Sequence, residues 1–423
     1  MFSKKSKLFI YILLLLIILS LLIPTCSFAF NEDSIYVWSN NSSSVSTSIS
    51  PSSEELSDAN TESNSGNFLN ITSGSAILID QKTGNILYEY NCHNQLRPAS
   101  VTKVMTILLI MEALDNGIIS LDDQVPCSEK ASSMGGSQIW LDTTETLSVH
   151  EMLKAICVVS ANDCCVAMSE YISGSEELFV EQMNKRAKEL GMNDTCFKNC
   201  HGIDEDGHLT SSHDIALMSR ELITKHPKIT EYTTIWMDSL RNGQSELVNT
   251  NKLIRNYEGA TGLKTGSTST ALFNLSASAT RNNLSLIAVI MRGETSAIRF
   301  AEAQKLLDYG FSNFEYVECA KKDDIVKTIT IDKGITTNVD AIFESDAGCL
   351  IKKGTSKNIT SNISLDNNIF APITKGQKLG EATYSINEKT IAKVNIIAKE
   401  NVKKLNLINM CTRTIENWFT LLR

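Results

Sequence analysis

The chain has 423 residues, 42% of them apolar and 21% charged, ordinary proportions for a globular protein with room for two or more domains. A net charge of -9 gives no sign of a nucleic-acid partner, which would call for a basic surface. The 11 cysteines are scattered, and with no C-x-x-C pair and no H-E-x-x-H the sequence offers no metal site.

Residues 1–29 carry Lys4, Lys5 and Lys7, an apolar run from Leu8 to Ile23, and Ser27-Phe28-Ala29. This is the pattern of a secretory signal peptide, although the run is long enough to stay as an N-terminal anchor. Residues 30–70 are rich in Ser and Asn, bury too little to order themselves, and read as a disordered linker. Structure is expected from about residue 71. Ser75–Asp80 and Asn85–Tyr90 form a hairpin around the turn Gln81-Lys82-Thr83-Gly84. Arg97-Pro98-Ala99-Ser100 then leads into a run, Val104 to Leu114, that is apolar on nearly every side and predicts a buried helix.

Ser100 stands near the start of that helix, and Lys103, three residues on, shares its face. A lysine in a dry site loses affinity for its proton and can act as a base. Beside a serine hydroxyl it makes an activated nucleophile pair. The S-x-x-K spacing also fits a helix cap followed by a solvated lysine, so further signals must decide. Ser148-Val149-His150-Glu151 is a capping box that opens the next helix. That helix breaks at Ser160-Ala161-Asn162 and resumes to about Ile172. Helices follow at about Glu176–Leu190 and Asp214–Lys225. Thr261–Ser267, Leu272–Ala279 and Leu284–Met291 read as strands, and Arg299–Tyr309 as a helix closed by Gly310. Strands bracketing a helical middle give an α+β domain with an antiparallel sheet and a helical cluster. Lys264-Thr265-Gly266 falls on one of these strands, presenting a cation and a hydroxyl beside a glycine that lets a ligand backbone come close.

From about Phe314 the texture turns to alternating stretches such as Ile325–Ile331 and Thr390–Ile397, a small all-β domain. From residue 398 to the end helical spacing returns. Val402, Leu405, Ile408, Cys411, Ile415, Trp418, Phe419 and Leu422 can line one face, which suits a membrane interface or packing on the chain itself. Among the cysteines, Cys157, Cys164 and Cys165 lie in apolar helices and read as small hydrophobes, while Cys196 and Cys200 are the best candidate pair.

With S-x-x-K, S-x-N and K-T-G in this order, the chain resembles penicillin-binding proteins and class A β-lactamases. It is most similar to the low-molecular-mass D-alanyl-D-alanine carboxypeptidases, through Arg97-Pro98-Ala99-Ser100, Gly136-Ser137, Ser160-Ala161-Asn162-Asp163, His201-Gly202, Gly262-Leu263-Lys264-Thr265-Gly266 and Leu306-Leu307-Asp308-Tyr309-Gly310-Phe311. The resemblance implies a transpeptidase-like domain over residues 71–315, an all-β domain over 316–397 and a membrane-associating amphipathic helix over 398–423. It implies Ser100 as the acylated nucleophile, Lys103 as its base, Ser160 as proton relay and Asn162 as holder of the substrate amide. Lys264, Thr265 and Gly266 would line the site of the terminal carboxylate, with Arg299 nearby. The N–H groups of Ser100 and Ser267 would form the oxyanion hole. Thr261 stands where an aspartate is common and Ser267 where a larger residue is common, departures that bear on substrate fine-tuning. The implied reaction removes the last D-alanine of peptidoglycan stem peptides, with no cofactor, and β-lactams acylate the same serine. The enzyme would work at the outer face of the cytoplasmic membrane. A class A-like β-lactamase would need a deacylating glutamate, of which Glu189-Leu190-Gly191-Met192-Asn193 is only a faint echo. A non-catalytic wall or β-lactam receptor is the other alternative.

Overall fold

The computed structural model describes residues 67–366 and 369–406. The expected signal peptide, nearly all of the linker, and the expected helix from residue 407 onward lie outside the described residues.

Strand β1 (Ser75–Asp80) pairs antiparallel with β2 (Ile86–Tyr90). Strands β3 (Ala260–Thr268), β4 (Leu272–Arg281) and β5 (Leu284–Gly293) follow much later in the chain and complete one antiparallel sheet in the order β2-β1-β5-β4-β3. Alternation along the strands splits them between two cores. Ile77, Ile79, Ile287, Val289 and Met291 enter the core shared with the helical cluster. Leu78, Leu286, Ala288 and Ile290 face the other way, against helix α6 (Ser296–Asn313) through Phe300, Ala303, Leu306 and Leu307. Each fully buried aliphatic side chain contributes about 1.5–3 kcal/mol, so a one-residue register slip would be ruinous.

The helical cluster comprises α1 (Lys103–Asp115), α2 (Val149–Val158), α3 (Asn162–Ser173), α4 (Glu176–Glu189) and α5 (Ser212–Lys225). Helix α1 is buried from Lys103 to Met111, as its all-round apolar sequence requires. Ser148 and Glu151 make the reciprocal capping box that starts α2. Helix α3 ends at Gly174 in the left-handed conformation, φ 83°. Helix α6 does not stop at Gly310 as the sequence suggested. It runs on to Asn313, and Gly310 is there because a Cβ would collide with Leu286 of the sheet. The glycine serves close packing rather than termination.

The β domain begins where α6 ends. Strand β6 (Phe314–Ala320) pairs with β9 (Ala347–Lys352). Strands β7 (Ile325–Thr330), β8 (Asn338–Phe343), β10 (Ile359–Leu365), β11 (Lys378–Ile386) and β12 (Lys389–Ala398) form a second sheet in the order β7-β8-β12-β11-β10. Val339, Ala341, Leu379, Ala382, Val394 and Ile396 fill its core. Residues 399–406 are not helical. Val402, 1% exposed, bridges to Ile373, and Lys404 bridges to Gly334, so this stretch closes the β domain.

Cys196 and Cys200 are not joined. Cys196 is exposed on a β-bridge to Leu209, whereas Cys200 is wholly buried beneath α1 with its carbonyl accepting from Thr106 Oγ1 at 2.5 Å. Cys157, Cys164 and Cys165 are buried in the helical core as small apolar side chains, and burial pushes the Cys157 and Cys165 thiols up to about 12.

Candidate active site

Ser100 lies in a 3-10 turn, Ala99–Thr102, one step ahead of α1. The turn is held from several sides. Asn274 Nδ2 of β4 donates to Arg97 O at 2.9 Å, and Thr102 Oγ1 donates to Ala99 O at 2.9 Å. Gly202 (φ 90°) lies so close beneath Ala99 O that no side chain fits there. Gly266 of β3 is equally constrained. A Cβ there would come within 2.9 Å of Ser100 N and 2.8 Å of Val101 N, so only glycine lets the strand lie against the turn.

His208 supports the same turn. Its Nδ1 accepts from Lys198 N at 3.0 Å, which leaves the proton on Nε2 to donate to Thr102 Oγ1 at 2.8 Å. Burial holds this imidazole down at about 4, from an ordinary 6.5. Between those values the unfolded chain binds a proton that the folded chain does not, so stability falls as pH falls from 6.5 toward 4. Thermal unfolding across that window is expected to show falling midpoints, and His208→Asn is expected to flatten part of the slope. A slope unchanged by the substitution would contradict this assignment.

Lys103 is 0% exposed. Its Nζ lies 3.0 Å from Ser100 Oγ, 2.6 Å from Asn162 Oδ1 and 2.6 Å from His201 O. Desolvation lowers its pKa, with the nearby Asp163 carboxylate pulling the other way. Asn162 opens α3 and is itself fixed, its N donating to Ser137 O at 2.7 Å and its Nδ2 to Gly135 O at 2.6 Å. Ser160 sits in the break before α3 with φ 66°, a left-handed conformation unusual for serine. It is 3% exposed, and its Oγ has no hydrogen-bond partner. A strained residue with an unmatched buried hydroxyl is the mark of a group kept for a ligand.

On the facing strand, Lys264 is 1% exposed and donates to Thr265 O at 2.9 Å. Burial lowers its pKa well below the ordinary value, and repulsion from Lys103 adds to this. Thr265 Oγ1 is 2.7 Å from Thr250 Oγ1. Ser267, the next residue past Gly266, is exposed. Arg299 reaches in from α6, its Nη1 donating to Gly266 O at 3.1 Å and Asn274 O at 3.2 Å, and its Nε has no partner. Burial lowers it to about 10. The structure therefore joins Ser100, Lys103 and Asn162 directly, and lays Lys264, Thr265, Gly266 and Arg299 along the strand that abuts the Ser100 turn. Among the described residues no cluster of His, Cys, Asp and Glu could hold a metal ion.

Family models match both parts of this architecture. Residues 58–295 match D-alanyl-D-alanine carboxypeptidase (Peptidase_S11), and residues 314–404 match the C-terminal domain of penicillin-binding protein 5. The chain belongs to the D-alanyl-D-alanine carboxypeptidase family. It is 44% identical over 348 residues to the D-alanyl-D-alanine carboxypeptidase DacF of Bacillus subtilis, covering 81% of this chain and 89% of the relative. Penicillin-binding protein 5 of Haemophilus influenzae has a similar structure, with TM-score 0.67 and 32% identity over 79% of this chain and 98% of that one. Penicillin-binding protein D2 of Listeria monocytogenes, solved with ampicillin bound, matches at TM-score 0.53 and 30% identity over 57% of this chain and 99% of its own.

Within this site, several groups take supporting roles that the sequence did not show, although His201 and Asp163 fall in motifs that carry the family resemblance. The His201 carbonyl contacts Lys103 from 98 residues away. Glu176, 7% exposed, steadies that segment by accepting from Cys200 N at 3.1 Å and pairing with Lys130 at 3.0 Å. Asp163, 0% exposed, accepts from Ile139 N at 3.0 Å and Leu141 N at 3.1 Å, fixing the loop that holds Asn162. Asp163 was legible as the last residue of the Ser160–Asp163 motif, but its hold on the Ile139–Leu141 backbone was not.

Proposed function

We propose that this protein is a serine-type D-Ala-D-Ala carboxypeptidase in which Ser100 attacks the last peptide carbonyl of a peptidoglycan stem. The observation that carries this reading is the fully buried Lys103 amine 3.0 Å from Ser100 Oγ. Neutral Lys103 takes the hydroxyl proton as the Oγ–C bond forms. The oxyanion is met by the N–H groups of Ser100 and Ser267. Ser160 passes a proton to the leaving nitrogen as the C–N bond breaks, and D-alanine departs. Water then attacks the acyl-enzyme and releases the shortened stem. Asn162 holds the substrate amide. Lys264, Thr265 and Arg299 bind the terminal carboxylate, which restores a counter-charge to cations that burial otherwise disfavours. Release of D-alanine from a soluble acyl-D-Ala-D-Ala peptide tests the reading. A folded preparation that takes up penicillin but releases no D-alanine would favour a receptor instead.

The β-lactamase alternative loses support from the position of Glu189. It ends α4 with its side chain exposed, 3.5 Å from Arg186 and 4.0 Å from Lys185, engaged at the helix surface.

The enzyme acts outside the cytoplasmic membrane, a reading supported by the apolar N-terminal run and by the wall-directed chemistry of its family. Among the described residues no helix is long and apolar enough to cross a membrane. Retention falls to residues 407–423, whose Ile408, Cys411, Ile415, Trp418, Phe419 and Leu422 recur at helical spacing. Deleting 407–423, which spares Val402 and Lys404, is expected to free the mature protein from membranes. Release of D-alanine from a soluble peptide should stay within about twofold, because every candidate site residue lies about 100 residues or more earlier in the chain. Membrane retention of the truncated, signal-processed protein would contradict the assignment.

A further inference from the structure

Trp140 is 75% exposed and has φ 54°. A bulky aromatic residue in the left-handed region is an outlier whose strain must be held by its surroundings. The surroundings here are unusually firm. Its neighbours Ile139 and Leu141 are 5% and 4% exposed and belong to the helical core. Their N–H groups share one buried carboxylate oxygen of Asp163. From the other side Arg241 donates to Ile139 O at 3.0 Å and Trp140 O at 3.4 Å. That guanidinium is fixed in turn by Glu145, at 2.5 and 2.7 Å. With the Gln138 amide oriented to satisfy both its ends, it donates to Met134 O at 2.5 Å and accepts from Trp140 Nε1 at 3.2 Å. Backbone and ring are both set, yet the ring faces water.

The same loop builds the active site. Ser137 O and Gly135 O hold Asn162, and Ser137 precedes Trp140 by three residues, at most about 10 Å of chain. A large apolar ring fixed in solvent on the loop that holds Asn162 points to a ligand that covers it. Resting on the carboxypeptidase reading, we propose that Trp140 is a stacking platform for a hexosamine ring of the glycan strand that carries the stem peptide. The chemistry favours a sugar. One face of a pyranose presents C–H groups, apolar and slightly positive, which suit the negative face of an indole. Its hydroxyls point outward, toward hydrogen-bonding groups such as those of exposed Asp142, Thr143 and Thr144 on the adjoining turn. A bilayer is disfavoured, because Arg241, which bonds the Trp140 carbonyl, is already paired with Glu145, and Asp142, two residues on from the ring, is acidic. The stem peptide places its D-Ala-D-Ala end at Ser100 and its other end on the glycan, so an enzyme bound to the polymer meets both.

The test compares kcat/KM for two substrates that share a pentapeptide, one free and one attached to its N-acetylated disaccharide. For Trp140→Ala, the preference for the glycan-linked substrate should fall about three- to tenfold, the loss that one aromatic contact carries. Trp140→Phe should keep most of it, and penicillin labelling reports that both variants are folded. An unchanged preference, or equal loss on both substrates, overturns the proposal, the second because the ring would then serve the peptide or merely brace the loop. Absence of D-alanine release by the unmodified enzyme would instead overturn the carboxypeptidase reading. The glycan contact is then read by calorimetric titration of the disaccharide–pentapeptide into Ser100→Ala and Ser100→Ala/Trp140→Ala proteins. Equal affinities overturn it, and weaker binding by the double variant supports it.

Discussion

Ser100→Ala is expected to abolish release of D-alanine and covalent uptake of fluorescent penicillin together, a loss on the order of 10⁴-fold or more. The fold should survive, because Ser100 is only half-buried and its Oγ is one of three groups that meet Lys103 Nζ. Removing it leaves Lys103 still bonded to Asn162 Oδ1 and His201 O. Circular dichroism and the unfolding midpoint check that point, with a change of at most about 1 kcal/mol expected for a partly exposed position. In the unmodified protein the penicillin adduct should persist, since Glu189 is engaged at the surface of α4 and cannot serve as a deacylating base. Rapid turnover of the β-lactam would show that a deacylating group had been missed.

Substituting Lys103 is expected to be nearly as damaging, with acylation falling about 10²- to 10⁴-fold, the span usual for loss of a positioned base. Lys103→Met is the informative variant. Lys103 is among the largest fully buried side chains, so alanine would open a cavity as well as strand two acceptors, whereas methionine keeps most of the volume. The pH dependence carries the sign. The amine acts as a base only when neutral, and burial lowers its pKa from 10.5. Acylation should therefore rise with pH through a limb that lies below the ordinary lysine value, and fall as the amine is protonated. Lys103→Met should remove that limb. A rate with no such rise in the unmodified protein, or with the same rise in the variant, would take the base role from Lys103.

Much of the fold was legible because local chemistry and burial agree. The all-round apolar run after Lys103 is a core helix, the Ser148–Glu151 capping box begins a helix where its reciprocal bonds require one, and Gly174 ends one in a left-handed turn. Gly310 misled because two uses of glycine look alike in sequence. Its role depends on Leu286 lying across from it, which no local pattern states. Cys196 and Cys200 misled in a similar way, being close in sequence while one faces solvent and the other the core. The stretch after Ala398 has apolar residues at helical spacing, but through residue 406 the edge of the β domain claims it for bridging.

At the site, the reactive types were legible as short motifs, since serine with lysine, serine with asparagine, and lysine with threonine and glycine carry their chemistry in the side chain. The groups that hold them were not. The His201 carbonyl is a backbone atom available to any residue type, and its meeting with Lys103 depends on how Glu176 and Thr106 fix the segment around it. Trp140 stands between the apolar residues Ile139 and Leu141 and drew no reading from the sequence. Only the clamp formed by Asp163 and Arg241 shows that its flanks are buried while its ring is turned outward.

Mass mapping of the penicillin-treated protein tests the central claim most directly. Digestion should yield one modified peptide, the one that contains Ser100, with fragmentation placing the added mass on that residue. An adduct on any other residue, or a folded and untreated-like protein with no adduct at all, would contradict the account.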